Sequence, residues 1–220
     1  MSNPSQITLD EAVKRGYTAC AKCASGSPAD PQPSPNPKPD LPETPDGFTD
    51  VSQADYFYDP VNWAVEKGIT NGATDTSFAP SNDCTREQAV TFLWRAAGSP
   101  EPTSTAMPFT DVKPGAYYEK AVRWAVEKGV TNGMSATEFG VGKTCTREQI
   151  VTFLWRSQGA PQMSGSVAFG DVKPSDFSYQ AIIWAGQQNV TQGTSATAFS
   201  PKTNCNRGMI VTFLYRAMAA

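Results

Sequence analysis

Three short motifs hold most of the groups in this 220-residue chain that could do chemistry. They are Thr85-Arg86-Glu87-Gln88, Thr146-Arg147-Glu148-Gln149 and Asn206-Arg207-Gly208-Met209. Each puts a guanidinium at the first position of an incipient helix. A guanidinium grips a carboxylate through two parallel hydrogen bonds, and the free N–H groups of a helix start also favour an anion. A cation there works against the helix dipole, so a bound anion and a plain solvated first-turn residue are both open readings. An aspartate stands 36 residues before each arginine, at Asp50, Asp111 and Asp171. From residue type alone it is read as a cap or a turn brace, since Asp is a favoured cap and turn residue. The chain has no histidine, which excludes Ser-His-Asp triads, Cys-His dyads and imidazole metal sites. A glycosidase would need two carboxylates about 5–10 Å apart across one cleft. The acids here recur along the chain instead of clustering once, so no enzyme and no cofactor is expected.

The five cysteines fall into two groups. Cys20-Ala21-Lys22-Cys23 has the spacing of half a tetrahedral zinc site, and no second pair of ligands accompanies it. A leader with two free thiols is the plain alternative, because a half-site cannot close. Cys84, Cys145 and Cys205 each stand immediately before a helix cap, the outer position of a hydrophobic staple toward Ala89, Ile150 and Ile210. Buried Cys behaves as a small hydrophobe, and disulfides between equivalent sites on three separate lobes are not expected. If the chain lies outside the cell, three free thiols point to an anaerobic source.

The elements that position these groups repeat. Phe48-Thr49-Asp50-Val51 recurs as Phe109-Thr110-Asp111-Val112 and Phe169-Gly170-Asp171-Val172, at spacings of 61 and then 60 residues. Trp63, Trp124 and Trp184 keep the same spacing, as do Gly72, Gly133 and Gly193. The slack lies only in the connector between the second and third copies, so each copy is read as one structural unit of a repeat array. Each copy carries two helices at helical period, the first around its Trp-Ala pair and the second behind a capping box. Asp59-Pro60 offers an N-cap with proline at the first helical position, and Gly129 suits a left-handed C-cap. The second helix has a broad apolar arc, which packs on more than one neighbour. Three copies sharing one core would supply the burial that a lone helix pair lacks.

Eight of the 18 prolines lie between Pro28 and Pro45, a run that reads as an extended spacer. The organisation is therefore a Cys-containing head (1–27), a Pro-rich linker (28–46) and copies at 47–99, 108–160 and 168–220. Formal net charge is −3, which gives no global pull toward nucleic acid or acidic lipid. No apolar run is long enough to span a membrane, and the chain does not open on a signal-peptide pattern.

The Phe-x-Asp-Val, Trp-Ala, Gly-Ile/Val-Thr-x-Gly, Phe-x-Pro and Thr-Arg-Glu-Gln series resembles the S-layer homology (SLH) domain, three times over. The first copy matches throughout, at Phe48, Asp50, Val51, Trp63, Gly68, Ile69, Gly72, Phe78, Pro80, Thr85 and Arg86. The third copy departs at Gln192 and Gly208, and the second has Phe139-Gly140-Val141 in place of Phe-x-Pro. The resemblance implies a mainly α fold, a pseudo-threefold spindle of helix-loop-helix repeats around a central three-helix bundle. It also implies a non-catalytic anchor for a secreted surface protein of a Gram-positive-type bacterium. That anchor binds a secondary cell-wall polysaccharide attached to peptidoglycan, often at a pyruvylated N-acetylmannosamine. A protein–protein assembly module on the same scaffold is the alternative. The molecule is expected to be monomeric, with its symmetry internal. Under the resemblance, Arg86, Arg147 and Arg207 would meet the pyruvyl carboxylate, beside Asp50, Asp111 and Asp171. Gly72, Gly133 and Gly193 would let sugar approach backbone. Trp63, Trp124 and Trp184 would either stack on sugar or fill the core. Residues 1–27 resemble the tail of a small zinc-knuckle-like module whose other ligands lie upstream, which makes the head a truncated remnant.

Overall fold

The computed structural model describes residues 47–219. The head with Cys20 and Cys23 and the proline-rich linker lie outside the described residues, and no observation supports a zinc half-site there. Among the described residues no group of three or more His, Cys, Asp or Glu side chains could hold a metal ion.

Six helices and no sheet are present among the described residues. They are α1 (Tyr58–Glu66), α2 (Arg86–Ala96), α3 (Glu119–Glu127), α4 (Arg147–Ser157), α5 (Tyr179–Gln187) and α6 (Arg207–Met218). Helix α1 starts earlier than Asp59-Pro60 suggests, with Phe57 at the N-cap. Pro60 then sits at the third helical position, where its missing N–H is still one of the unpaired four. Gly68 and Gly129 follow α1 and α3 at φ +67°, as a left-handed C-cap requires, and Asn189 takes that conformation after α5. The capping boxes of α2 and α4 return through Gln. Thr85 N–H donates to Gln88 Oε1 at 3.2 Å, and Thr146 N–H to Gln149 Oε1 at 3.1 Å. The other arm has its residues in place but forms no hydrogen bond, so the Thr85 and Thr146 hydroxyls are buried without a partner. Asn206 caps α6 more tightly, accepting from Met209 N–H at 2.8 Å.

The longer helices α2, α4 and α6 meet along the pseudo-threefold axis, which Ala89, Leu93, Ile150, Leu154, Ile210 and Leu214 line. The shorter helices pack outside them, and here the packing departs from one copy as one unit. Helix α3 packs on α2, α5 on α4, and α1 on α6. Each outer helix therefore leans on the central helix of the preceding copy, and the first copy closes the circle on the third. A nine-residue helix cannot hold itself in water, so it takes whichever apolar face its loop can reach.

The cysteines mark the closure. Cys84 N–H donates to the Cys205 carbonyl (2.9 Å), Cys145 N–H to that of Cys84 (2.9 Å) and Cys205 N–H to that of Cys145 (2.8 Å). Two residues on, Arg86 N–H donates to Lys143, Arg147 to Thr203 and Arg207 to Asn82, each at 2.9 Å. The three thiols are thus neighbours at the axis and not on separate lobes. They are fully buried and free, in one core with Ala89, Ile150 and Ile210. Burial pushes all three upward, Cys145 to about 12, so they remain neutral.

Closure makes the copies interdependent. A chain ending at residue 160 removes the α6 face from α1 and one ring member from the axis. It should lose far more than one third of its helicity and unfold without a cooperative transition, as read by far-ultraviolet circular dichroism against temperature. Two-thirds of the helicity melting cooperatively would contradict this.

Candidate functional site

Each junction between copies is built from a Phe-x-Pro loop and the helix start that clasps it. The middle residue of the loop is left-handed in all three copies: Ala79 (φ 56°), Gly140 (φ 93°) and Ser200 (φ 59°). That turn points successive N–H groups to one side, a nest for an anion. The aspartates fill it. Asp50 accepts from Phe78 N–H (2.9 Å), Ala79 N–H (2.8 Å) and Ser77 Oγ–H (2.7 Å). Asp111 accepts from Phe139 N–H (2.8 Å), Gly140 N–H (2.7 Å) and Val141 N–H (2.8 Å). Asp171 accepts from Phe199 N–H (2.9 Å) and Ser200 N–H (2.8 Å). The second copy's departure from Phe-x-Pro thus has a physical use. Glycine relieves the left-handed position, and Val141 supplies a third donor that proline cannot. Burial works to raise each carboxyl, but the hydrogen bonds outweigh it and hold all three below the ordinary value.

The arginines bind the loops from the preceding copy. Arg86, Arg147 and Arg207 are only 3%, 4% and 7% exposed. Arg86 Nε–H donates to the Phe139 carbonyl (2.9 Å), Arg147 to Phe199 (3.0 Å) and Arg207 to Phe78 (2.8 Å). Each guanidinium also lies between two phenyl rings: Phe139 and Phe153, Phe199 and Phe213, or Phe78 and Phe92. Desolvation costs a cation several kcal/mol, and the carbonyl and the ring faces offset it. Nη2 of Arg147 and Nη2 of Arg207 are buried with no hydrogen-bond partner.

The other candidates serve packing. A Cβ on Gly72, Gly133 or Gly193 would come within 2.4–2.6 Å of the ring of Phe48 or Phe109 or of the Ala198 carbonyl. These glycines admit the Phe-x-Asp-Val ring of their own copy. Trp124 and Trp184 are buried. Trp63 is partly buried and meets Tyr215 edge-on at 5.7 Å.

Two features escaped the motif reading. Tyr56, Tyr117 and Phe177 recur at the same spacings, and Tyr56 and Phe177 are each 58% exposed. Their recurrence was legible; their exposure was not, because aromatic residues beside a helix start usually read as core. The second feature is Glu148, buried beside Arg147, which takes an ion pair from Lys202 (2.5 Å) and a hydrogen bond from Ser178 Oγ (3.2 Å).

A ring of three helix pairs, each junction clasped by a buried arginine, defines a pseudo-symmetric triplet module. Residues 47–90, 108–151 and 168–208 match the S-layer homology domain family. The chain belongs to that family. It is 30% identical over 71% of its length to a "Surface-layer 125 kDa protein" of Lysinibacillus sphaericus, of which it covers 13%. It is 32% identical over 50% of its length to a "Cell surface protein" of Thermoanaerobacter kivui (15% covered). It is 28% identical over 73% of its length to an "Endoglucanase" of Bacillus sp. strain KSM-635 (17% covered). The chain thus spans less than a fifth of each of these relatives. Membership of this family supports a cell-wall anchoring role for these three repeats, and the catalytic name of the endoglucanase is said of that longer protein. No helix among the described residues is long and apolar enough to cross a membrane.

The aspartate nests set an acid limb. A carboxyl whose pKa is lowered by folding adds stability that is complete above its unfolded value, ordinarily 3.8, and is lost as pH falls through the folded value. Tm should be level from pH 7 to about pH 5 and fall below about pH 4. Asp111→Asn should lower Tm at pH 7 and flatten the acid limb, which thermal melts across that range will read.

Proposed function

We propose that this triplet holds a larger surface protein on the bacterial wall by binding, without covalent bonds, a secondary polysaccharide attached to peptidoglycan. The recognised unit is an acidic sugar, a pyruvylated N-acetylmannosamine being the best match to the chemistry. The observation that carries this reading is the arginine at each junction. Two of the three retain a buried guanidinium N–H with no partner, the donor an acidic group would take. The ring closes within one chain, which favours a monomer. The reaction chemistry of an enzyme relative then belongs to other parts of that longer protein, with the triplet as its tether.

Binding should be retained by native sacculi and lost once the polysaccharide is stripped from them by acid, as read by pulldown. Persistent binding to stripped sacculi would sink the polysaccharide reading. Arg147→Ala should abolish pulldown and also lower Tm, because it frees the Phe199 carbonyl and vacates the space between two rings. Loss of a buried, hydrogen-bonded group of this kind costs about 2–4 kcal/mol. Wild-type pulldown by a folded Arg147→Ala chain would remove the arginine from the binding role.

A further inference from the structure

The three junctions share one backbone but differ in charge. At the junction of the first and second copies, Glu87 accepts from Gly142 N–H (2.9 Å), and the nearby Lys143 is committed to Glu138 (2.9 Å). At the junction of the third and first copies, Gly208 replaces the glutamate and lies against Phe57, while Asp83 is held by Asn204 (2.7 Å). The counterpart of Gly142 there is Ser81. Only the junction of the second and third copies has a lysine at this place, Lys202. Arg147 and Lys202 there face Glu148 and Asp171, so each acid is matched by a cation. At the junction of the first and second copies Arg86 and Lys143 stand against Glu87, Asp111 and Glu138, and at that of the third and first Arg207 stands against Asp50 and Asp83.

The same junction offers a face. The Phe177 ring is more than half exposed, and Lys202 Nζ stands 5.7 Å from its centre. Lys202 is itself largely exposed, although its partner Glu148 is buried. The buried Ser178 hydroxyl fixes the second carboxylate oxygen of Glu148. A solvated ammonium is thereby held over an open aromatic ring, and its partner Glu148 is one helix position from Arg147, whose Nη2 is unpartnered. An aromatic face takes the apolar side of a sugar ring, and a fixed cation at its edge takes an acidic substituent.

We propose that the junction of the second and third copies is the principal site on this chain for a carboxylate-bearing sugar. The ring stacks on Phe177, and the carboxylate meets Lys202. This rests on the wall-polysaccharide reading above and adds which junction is used and which residues select the ligand.

The test uses the full chain and polysaccharide released by hydrofluoric acid from sacculi of Lysinibacillus sphaericus, with affinity read by calorimetry. One portion of the polymer has its carboxylates amidated with carbodiimide and ethanolamine. Removing Lys202 alone would strand buried Glu148, so the charge variant is Glu148→Gln with Lys202→Ala. That variant and Phe177→Ala should each bind about tenfold more weakly, the loss of one charge-assisted contact or one stacked ring. Lys202→Arg should bind as wild type. Ser81→Ala and Tyr117→Ala, at the equivalent places of other junctions, should stay within about twofold. Amidated polymer should bind wild type as weakly as native polymer binds the charge variant. Wild-type affinity in either Phe177→Ala or the charge variant overturns the inference, and so does equal affinity for amidated polymer. If wild type binds neither polymer, the polysaccharide reading falls with it; if wild type binds and only these variants are silent, this inference falls alone.

Discussion

Three separate stretches of one chain must meet at one axis, and the rest of the molecule depends on how that meeting is fixed. Cys84, Cys145 and Cys205 fix it by passing backbone hydrogen bonds around a closed triangle. Unpaired backbone groups at such a depth would each cost on the order of 1–3 kcal/mol. The residue at this place must be small and apolar enough to leave the triangle intact, and Cys meets both conditions. Once the triangle is formed, the following arginine is aimed at the next copy's loop. The loop is then bound from two sides, by its own aspartate within the copy and by the arginine from the neighbour. Phe78, Phe139 and Phe199 are the common element: their N–H groups serve Asp, their carbonyls serve Arg, and their rings fill the core.

The copies have diverged where a neighbour could compensate. Loss of glutamate at Gly208 leaves space that Phe57 enters; at Glu148 the matching residue is Ser178, which donates a hydrogen bond instead of a ring. Gly140 and Val141 trade proline's rigidity for an extra donor to Asp111. These exchanges keep the backbone symmetric while the surface chemistry becomes unequal. A pseudo-symmetric scaffold can therefore carry one specialised junction without losing the two that complete the ring.

Much of this was legible in the sequence because it is local or periodic. The landmark spacing gives the three copies, and Gly129 and Asn206 mark helix ends by chemistry confined to a few residues. Asp50, with its counterparts, was weighed as a turn brace, and its hydrogen bonds serve a turn. The exchange of partners between copies was not legible. A loop of the length between Glu66 and Arg86 can bring α1 to its own α2 or to α6, and the pattern on α1 suits either. The burial of Arg86 was hidden for a related reason, since an arginine opening a helix reads as solvated until the rings that sandwich it arrive from another copy. Lys202 and Glu148 are 54 residues apart, and no local rule links them.

The contact of α1 with α6 has a mechanical side. Tension from anything attached through residues 1–46 enters the described fold at residue 47, just ahead of α1. Helix α1 is the outer partner of the last helix, so the pull falls first on the seam that closes the ring. How that seam peels, helix by helix, then sets the load at which the fold itself gives, a quantity separate from the equilibrium affinity for the wall. Edge-on Trp63 and Tyr215 sit on that seam, and the rate at which such rings part under force would decide whether the tether lets go of the wall or the fold itself opens.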